Sequence, residues 1–137
     1  MKVAICASMV FTDKMLDVKN QLKELGHEVH VSSFVNEYVG KSEKEKEEIT
    51  IYHKNQKDAI RKFYEKIKIS DAILVLNYDR RGISDYIGGN TLMEIGFAHV
   101  LEKSIFLMNP IPDIEYYRSE IEAVRPVIIN GDLTKIV

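Results

Sequence analysis

The densest chemistry in the chain lies in Gly88-Gly-Asn-Thr-Leu-Met-Glu-Ile-Gly-Phe-Ala98, where a glycine-rich loop runs into a helix soon after a buried strand. Gly88 and Gly89 let the main chain approach a ligand, and the free N–H groups of a helix start attract anions. The spacing puts Glu94 in the first helical turn, where the helix dipole would keep it ionised. A carboxylate so placed can attack, or electrostatically stabilise, a sugar carbon with oxocarbenium character. The same residues also fit a plainer pattern. Thr91-Leu-Met-Glu94 reads as a capping box, in which Glu94 only closes the Thr91 N–H. Nearby, Asn77, Ser84, Asp85, Asn90 and Asn109 could hydrogen-bond a sugar or base, or satisfy local backbone groups. His53 and His99 lack a partnering acid at an evident spacing, and Cys6, inside an apolar run, reads as a core thiol.

These side chains need elements to hold them. Lys2–Ser8 is an apolar run without polar alternation, which suits a central strand buried on both faces. Met15, Leu16, Val18, Leu22 and Leu25 recur at helical spacing behind a cap at Thr12 or Asp13, with Gly26 as a stop that can take positive φ. His27–Phe34 alternates as an edge strand does. The charge run Lys41–Glu48 predicts a solvated helix start or mobile loop. Ile60, Phe63, Tyr64 and Ile67 mark one long helix ending near Ile69, whose earlier part carries Tyr52, His53 and Gln56. Ser70–Asn77 is a buried strand, left by the polar loop Tyr78–Asn90. A helix over Thr91–Leu101, a strand over Lys103–Met108, a short helix around Tyr116–Ala123 and a strand over Pro126–Ile129 complete the chain. This alternation predicts an α/β fold: a single domain over residues 1–137 with a doubly wound, five-stranded parallel sheet, flavodoxin/Rossmann-like, in the order 2-1-3-4-5. Its site would lie outside the carboxyl ends of strands one and three, where Ala7–Asp13, Asn77–Asn90 and Asn109–Glu115 meet.

Composition excludes several classes. With 137 residues, 45% of them hydrophobic, the chain can close one core. Nineteen basic against twenty-one acidic residues leave a net charge of −2, far from the basicity of a protein held by phosphate backbones, so no nucleic acid polymer is expected as a partner. No apolar run approaches the roughly 18 to 20 residues of a membrane span, so no membrane association is expected. Val3–Phe11 is too short and too quickly charged for a signal peptide, and the chain reads as cytoplasmic. The single cysteine cannot form an internal disulfide, and with scattered histidines it gives no zinc spacing.

The stretch Asn90-Thr-Leu-Met-Glu-Ile-Gly-Phe-Ala98, behind a Ser70-Asp-Ala-Ile-Leu-Val-Leu76 strand and ahead of a Lys103-Ser-Ile-Phe-Leu-Met108 strand, resembles the nucleoside 2-deoxyribosyltransferase and deoxynucleoside 5′-monophosphate N-hydrolase superfamily. Phe11-Thr-Asp13 is similar to the transferases' first loop. The resemblance implies that Glu94 attacks C1′ of a deoxyribosyl group, displaces the base and hands the sugar to water or to another base. It implies a small-molecule nucleoside or nucleotide as partner, with no cofactor and no metal. Substrate contacts are then expected from Ala7, Ser8, Met9, Phe11, Asn77, Asp85, Gly88, Gly89, Asn90 and Asn109. Arg80 and Arg81 could take a 5′-phosphate with their guanidinium forks, or remain solvated surface charge. Members of the superfamily usually pair, and Phe97, Tyr116 and Tyr117 are available for a homodimer interface.

The chain departs from the superfamily pattern at three side chains around the site, and the small glycine turn after strand one reads Ala7-Ser-Met9. The acid on the helix before the third strand falls on Phe63, the tyrosine of strand one on Ile5, and the Asp or Ser six residues before the nucleophile on Gly88, which leaves Asp85 as the nearest acid. These departures suit a second reading, a non-catalytic nucleotide-binding or sensing module that kept the cleft and lost the chemistry. A flavodoxin-like redox or response-regulator domain shares the topology but fits less well. Strand one lacks the acidic pair that binds Mg²⁺, and the first loop lacks a Ser/Thr/Gly run for a flavin phosphate.

Overall fold

The computed structural model describes residues 1–137. Five strands, β1 (Lys2–Cys6), β2 (Glu28–His30), β3 (Ala72–Val75), β4 (Ser104–Leu107) and β5 (Val127–Ile128), form one sheet in the order β2-β1-β3-β4-β5. Every neighbouring pair is parallel. The expected topology is therefore the observed one. The helices are α1 (Thr12–Glu24), α2 (Glu43–Gln56), α3 (Ala59–Lys68), α4 (Gly89–Val100) and α5 (Arg118–Ala123). No helix is long and apolar enough to cross a membrane.

Alternation along the strands builds two cores, because successive side chains leave a strand on opposite faces. Val3, Ile5, Leu74 and Phe106 pack on Met15, Val18 and Leu22 of α1 and on Ile129, Leu133 and Ile136 of the last segment. Ala4, Cys6, Ile73, Val75 and Leu107 face Phe63 and Ile67 of α3, Ile95 and Ala98 of α4 and Ile121 of α5. Burial on both faces is why β1 and β3 read as unbroken apolar runs.

Two local expectations are corrected. The long helix ending near Ile69 is two helices, since Lys57 ends α2 and Asp58 turns the chain with φ of +48° before α3 begins. The helix expected from Thr91 begins at Gly89, with Gly88 as its flanking residue and no side-chain cap. The charge run starts α2, as the helix-start alternative expected, and most of its residues are exposed. Ser42 and Glu45 make a reciprocal capping box that starts α2, Glu43 and Glu47 are ion-paired, and Lys46 is buried with its Nζ 3.4 Å from the Val10 carbonyl.

Candidate active site

The carboxyl ends of β1 and β3, the central strands, lead into Ala7–Phe11 and into the loop ending at α4. Between these segments and α2 lie two adjoining spaces. The inner one, about 50 Å³, is walled by Ile5, Ala7, Met9, Met15, Phe63 and Glu94, with Phe34, Tyr38, Thr50 and His53 on the α2 side. The outer one, about 290 Å³, is lined by Ala7–Val10, Glu47, Thr50, Lys54, Arg80, Arg81, Tyr86 and Gly88–Thr91. Ala7, Met9, Thr50, Lys54 and Asn90 border both, so the two form one cleft with a narrow floor. A larger hollow of about 650 Å³ lies among Lys103–Phe106 and Val124–Val137, at the opposite ends of β4 and β5, away from the switch point.

Glu94 projects from the second turn of α4, because the helix starts two residues earlier than the sequence pattern suggested. The capping reading fails with it, since no side-chain bond closes this helix end. Glu94 is only 7% exposed, and burial pushes its carboxyl from 4.5 up to about 8, opposed by a hydrogen bond with the Cys6 thiol. The expectation of an ionised Glu94 is thereby corrected: at neutral pH desolvation outweighs the helix dipole, which acts mainly within the first turn. The cause is legible in the walls. Ile5 and Phe63, two of the three departures from the superfamily pattern, line the inner space with Met9 and Met15 and leave the carboxyl little solvation. Burial, and then the charge and hydrogen bond of Glu94, push the Cys6 thiol well up, which keeps it a thiol rather than a nucleophilic thiolate.

The third departure lies beside Tyr86. A Cβ on Gly88 would meet the Tyr86 hydroxyl at 3.0 Å, so a side chain there would require a small shift of the phenol.

Of the residues expected at a substrate, Ala7, Ser8, Met9, Arg80, Arg81, Gly88, Gly89, Asn90 and Glu94 border the cleft. Four do not. Asn77 and Asn109 are spent on each other across the ends of β3 and β4. Phe11 packs edge-on to Tyr78 at 5.4 Å between ring centres. Asp85, with φ of +57°, lies in the loop with its N–H on the Asp79 carboxylate at 2.9 Å.

Arg80 is neither a free fork nor solvated charge, whereas Arg81 is ion-paired yet largely exposed. Arg80, 11% exposed, reaches Glu43 at 3.1 Å, Glu47 at 2.6 Å and the Ser8 hydroxyl at 3.3 Å, and it lies over the Tyr86 ring. Arg81 also bonds Glu47 but is 59% exposed. Two carboxylates of α2 thus already occupy the guanidinium groups at the cleft mouth. Lys54 stands outside these pairs and borders both spaces.

The sequence reading missed the α2 wall and Tyr38. The signal was present, since Thr50, His53 and Lys54 stand at i, i+3 and i+4 and so share one helix face. No group of three or more His, Cys, Asp or Glu side chains comes together as a metal site would require.

No protein-family model matches the chain, and no curated protein does. Two solved structures share its fold. A 2-deoxyribosyltransferase from Bacillus psychrosaccharolyticus superposes with a TM-score of 0.54 at 18% identity, over 78% of this chain and 71% of that one. A CMP N-glycosidase from Clostridium botulinum gives 0.51 at 20% identity, over 95% of this chain and 90% of that one. At such identities the likeness is one of fold.

Proposed function

We propose that the chain cleaves or transfers the N-glycosidic bond of a deoxyribonucleoside or its 5′-monophosphate, with Glu94 as nucleophile. The observation that carries this reading is the position of Glu94: a buried carboxyl on the floor of the cleft at the switch point. Two proteins of this fold act on N-glycosidic bonds or deoxyribosyl groups by their own descriptions, which supports the same chemical class. In the proposed reaction the ionised Glu94 attacks C1′ and the base departs with the bonding electrons. Water or a second base then displaces the carboxylate. The outer space accommodates the rest of the substrate, with Lys54 and the N–H groups of Gly89 and Asn90 facing any phosphate.

A second reading, nucleotide binding without chemistry, is favoured by the neutral state of Glu94 at pH 7. One experiment separates them. The protein is incubated with the common deoxynucleosides and their monophosphates, and free base is followed by chromatography. Release that disappears in Glu94→Gln supports the enzyme. Saturable binding with no release in the wild type supports the binding module.

A further inference from the structure

The inner space holds more than one buried acid. On the wall formed by α2, His53 is 2% exposed, stacked on Phe34 at 4.1 Å with 19° between the rings, and bonded at both nitrogens. Its Nδ1 lies 3.2 Å from the Tyr38 hydroxyl and its Nε2 3.3 Å from a Glu37 carboxylate oxygen. The Tyr38 hydroxyl also lies 3.1 Å from Thr50 Oγ1, which donates its own proton to the Lys46 carbonyl at 2.8 Å.

Counting hydrogens shows what this arrangement can do. Thr50 has one proton and gives it to Lys46, so the Tyr38–Thr50 bond must use the proton of Tyr38. The Tyr38 oxygen then accepts from His53 Nδ1, while Nε2 donates to Glu37. All the contacts are filled only when both ring nitrogens carry hydrogen. When Nδ1 loses its hydrogen, the Tyr38 proton can swing from Thr50 to the imidazole. The same heavy atoms therefore accept two proton positions, separated by the turning of one hydroxyl. Burial raises the Tyr38 phenol above its ordinary value, which keeps it a donor. The outer end of the chain, Glu37, is 57% exposed and opens to solvent, whereas the inner end borders the space shared with Glu94.

We propose that Glu37, His53 and Tyr38 form a proton relay that serves the departing base, with the Tyr38 hydroxyl as the group that protonates it. The inference rests on the glycosidic reading and names its missing acid, since a carboxylate that attacks C1′ cannot also donate a proton. As the C1′–N bond breaks, its electron pair stays on the base nitrogen, which takes the Tyr38 proton. The phenolate is refilled from His53 Nδ1–H. When water cleaves the ester to Glu94, its hydroxyl bonds to C1′, Glu94 leaves as carboxylate, and the spare proton returns to the relay.

The test compares wild type, Tyr38→Phe and Glu37→Gln on a nucleotide that the wild type cleaves and on a derivative whose base departs without a proton. Such bases are N7-methylguanine for a purine and 5-nitrouracil for a pyrimidine. The relay predicts that Tyr38→Phe loses about 10²- to 10⁴-fold in kcat on the ordinary substrate with KM nearly unchanged, and that most of this loss vanishes on the derivative. Glu37→Gln, altered at a half-exposed side chain, should show the same dependence on leaving group with a smaller loss. Equal losses on both substrates, or no loss, would overturn the relay and leave the cluster as packing. A wild type that releases no base from any deoxynucleoside overturns the glycosidic reading itself, and the relay's role falls with it.

Discussion

Asn77 and Asn109 hold each other symmetrically: each side-chain amide donates to the other's main-chain carbonyl at 2.9 Å, and the Asn77 oxygen also accepts the Asn109 N–H. A further bond from Asn77 reaches the Pro110 carbonyl at 2.9 Å. The clasp ties together the ends of β3 and β4, next to the cleft. Asn77→Ala leaves the Asn109 N–H and the Asn109 and Pro110 carbonyls, all part-buried, without this partner and is expected to destabilise by about 1 to 3 kcal/mol. Thermal denaturation measures this, and an unshifted midpoint would show that the clasp contributes nothing.

Glu94 makes stability depend on pH. Its native carboxyl titrates near 8 and its ordinary value is 4.5, so between these the folded protein keeps a proton that the unfolded chain has lost. The stabilisation is full below 4.5 and is lost as pH rises through 8, by at most about 1.4 kcal/mol per pH unit. Glu94→Gln, which stays neutral, should remove this decline. Denaturant unfolding of both proteins at pH 5, 7 and 9 tests it, and parallel stability curves would contradict the buried-acid assignment.

The same shift reverses sign for turnover. A nucleophile must be ionised, so base release should rise about tenfold per pH unit on the acid side and level off above about 8. Steady-state kcat/KM from pH 5.5 to 9.5 provides the check. A flat profile would mean that some other group attacks.

At the cleft mouth the arginines face Glu43 and Glu47 rather than a ligand. If the substrate carries a 5′-phosphate, Glu47→Gln removes a competing charge and should tighten nucleotide binding several-fold while leaving nucleoside binding almost unchanged. Titration calorimetry at low salt resolves the difference, because screening is then weakest. Equal effects on the two ligands would exclude a phosphate subsite at the arginines.

The order of strands was legible because β1 and β3 are buried on both faces and lack any polar alternation. Glu94 was also legible as a candidate, being an acid set just behind a glycine-rich loop. Its ionisation was not, because that depends on Ile5, Phe63 and Met15, which reach the same space from three separate elements. The roles of Asn77 and Arg80 were hidden for a related reason. Their partners lie 32 and 33 to 37 positions away, and nothing local marks a polar side chain as already committed. The break at Asp58 escaped notice because the apolar stripe resumes directly beyond it.

That break sets α2 apart from the rest of the molecule. Only Lys46 and His53 of this helix are buried, and its links to the body are largely ionic or hydrogen-bonded, whereas α3 beyond Asp58 buries Phe63 and Ile67 against the sheet. The ion pairs of Glu43 and Glu47 weaken as ionic strength rises, and the apolar contacts of α3 do not. The cleft is therefore bounded by one wall that salt can loosen and one that it cannot. In hydrogen-exchange terms, the amides of α2 should open independently of the global transition, sooner in concentrated sodium chloride than in dilute buffer, while those of α3 follow the core.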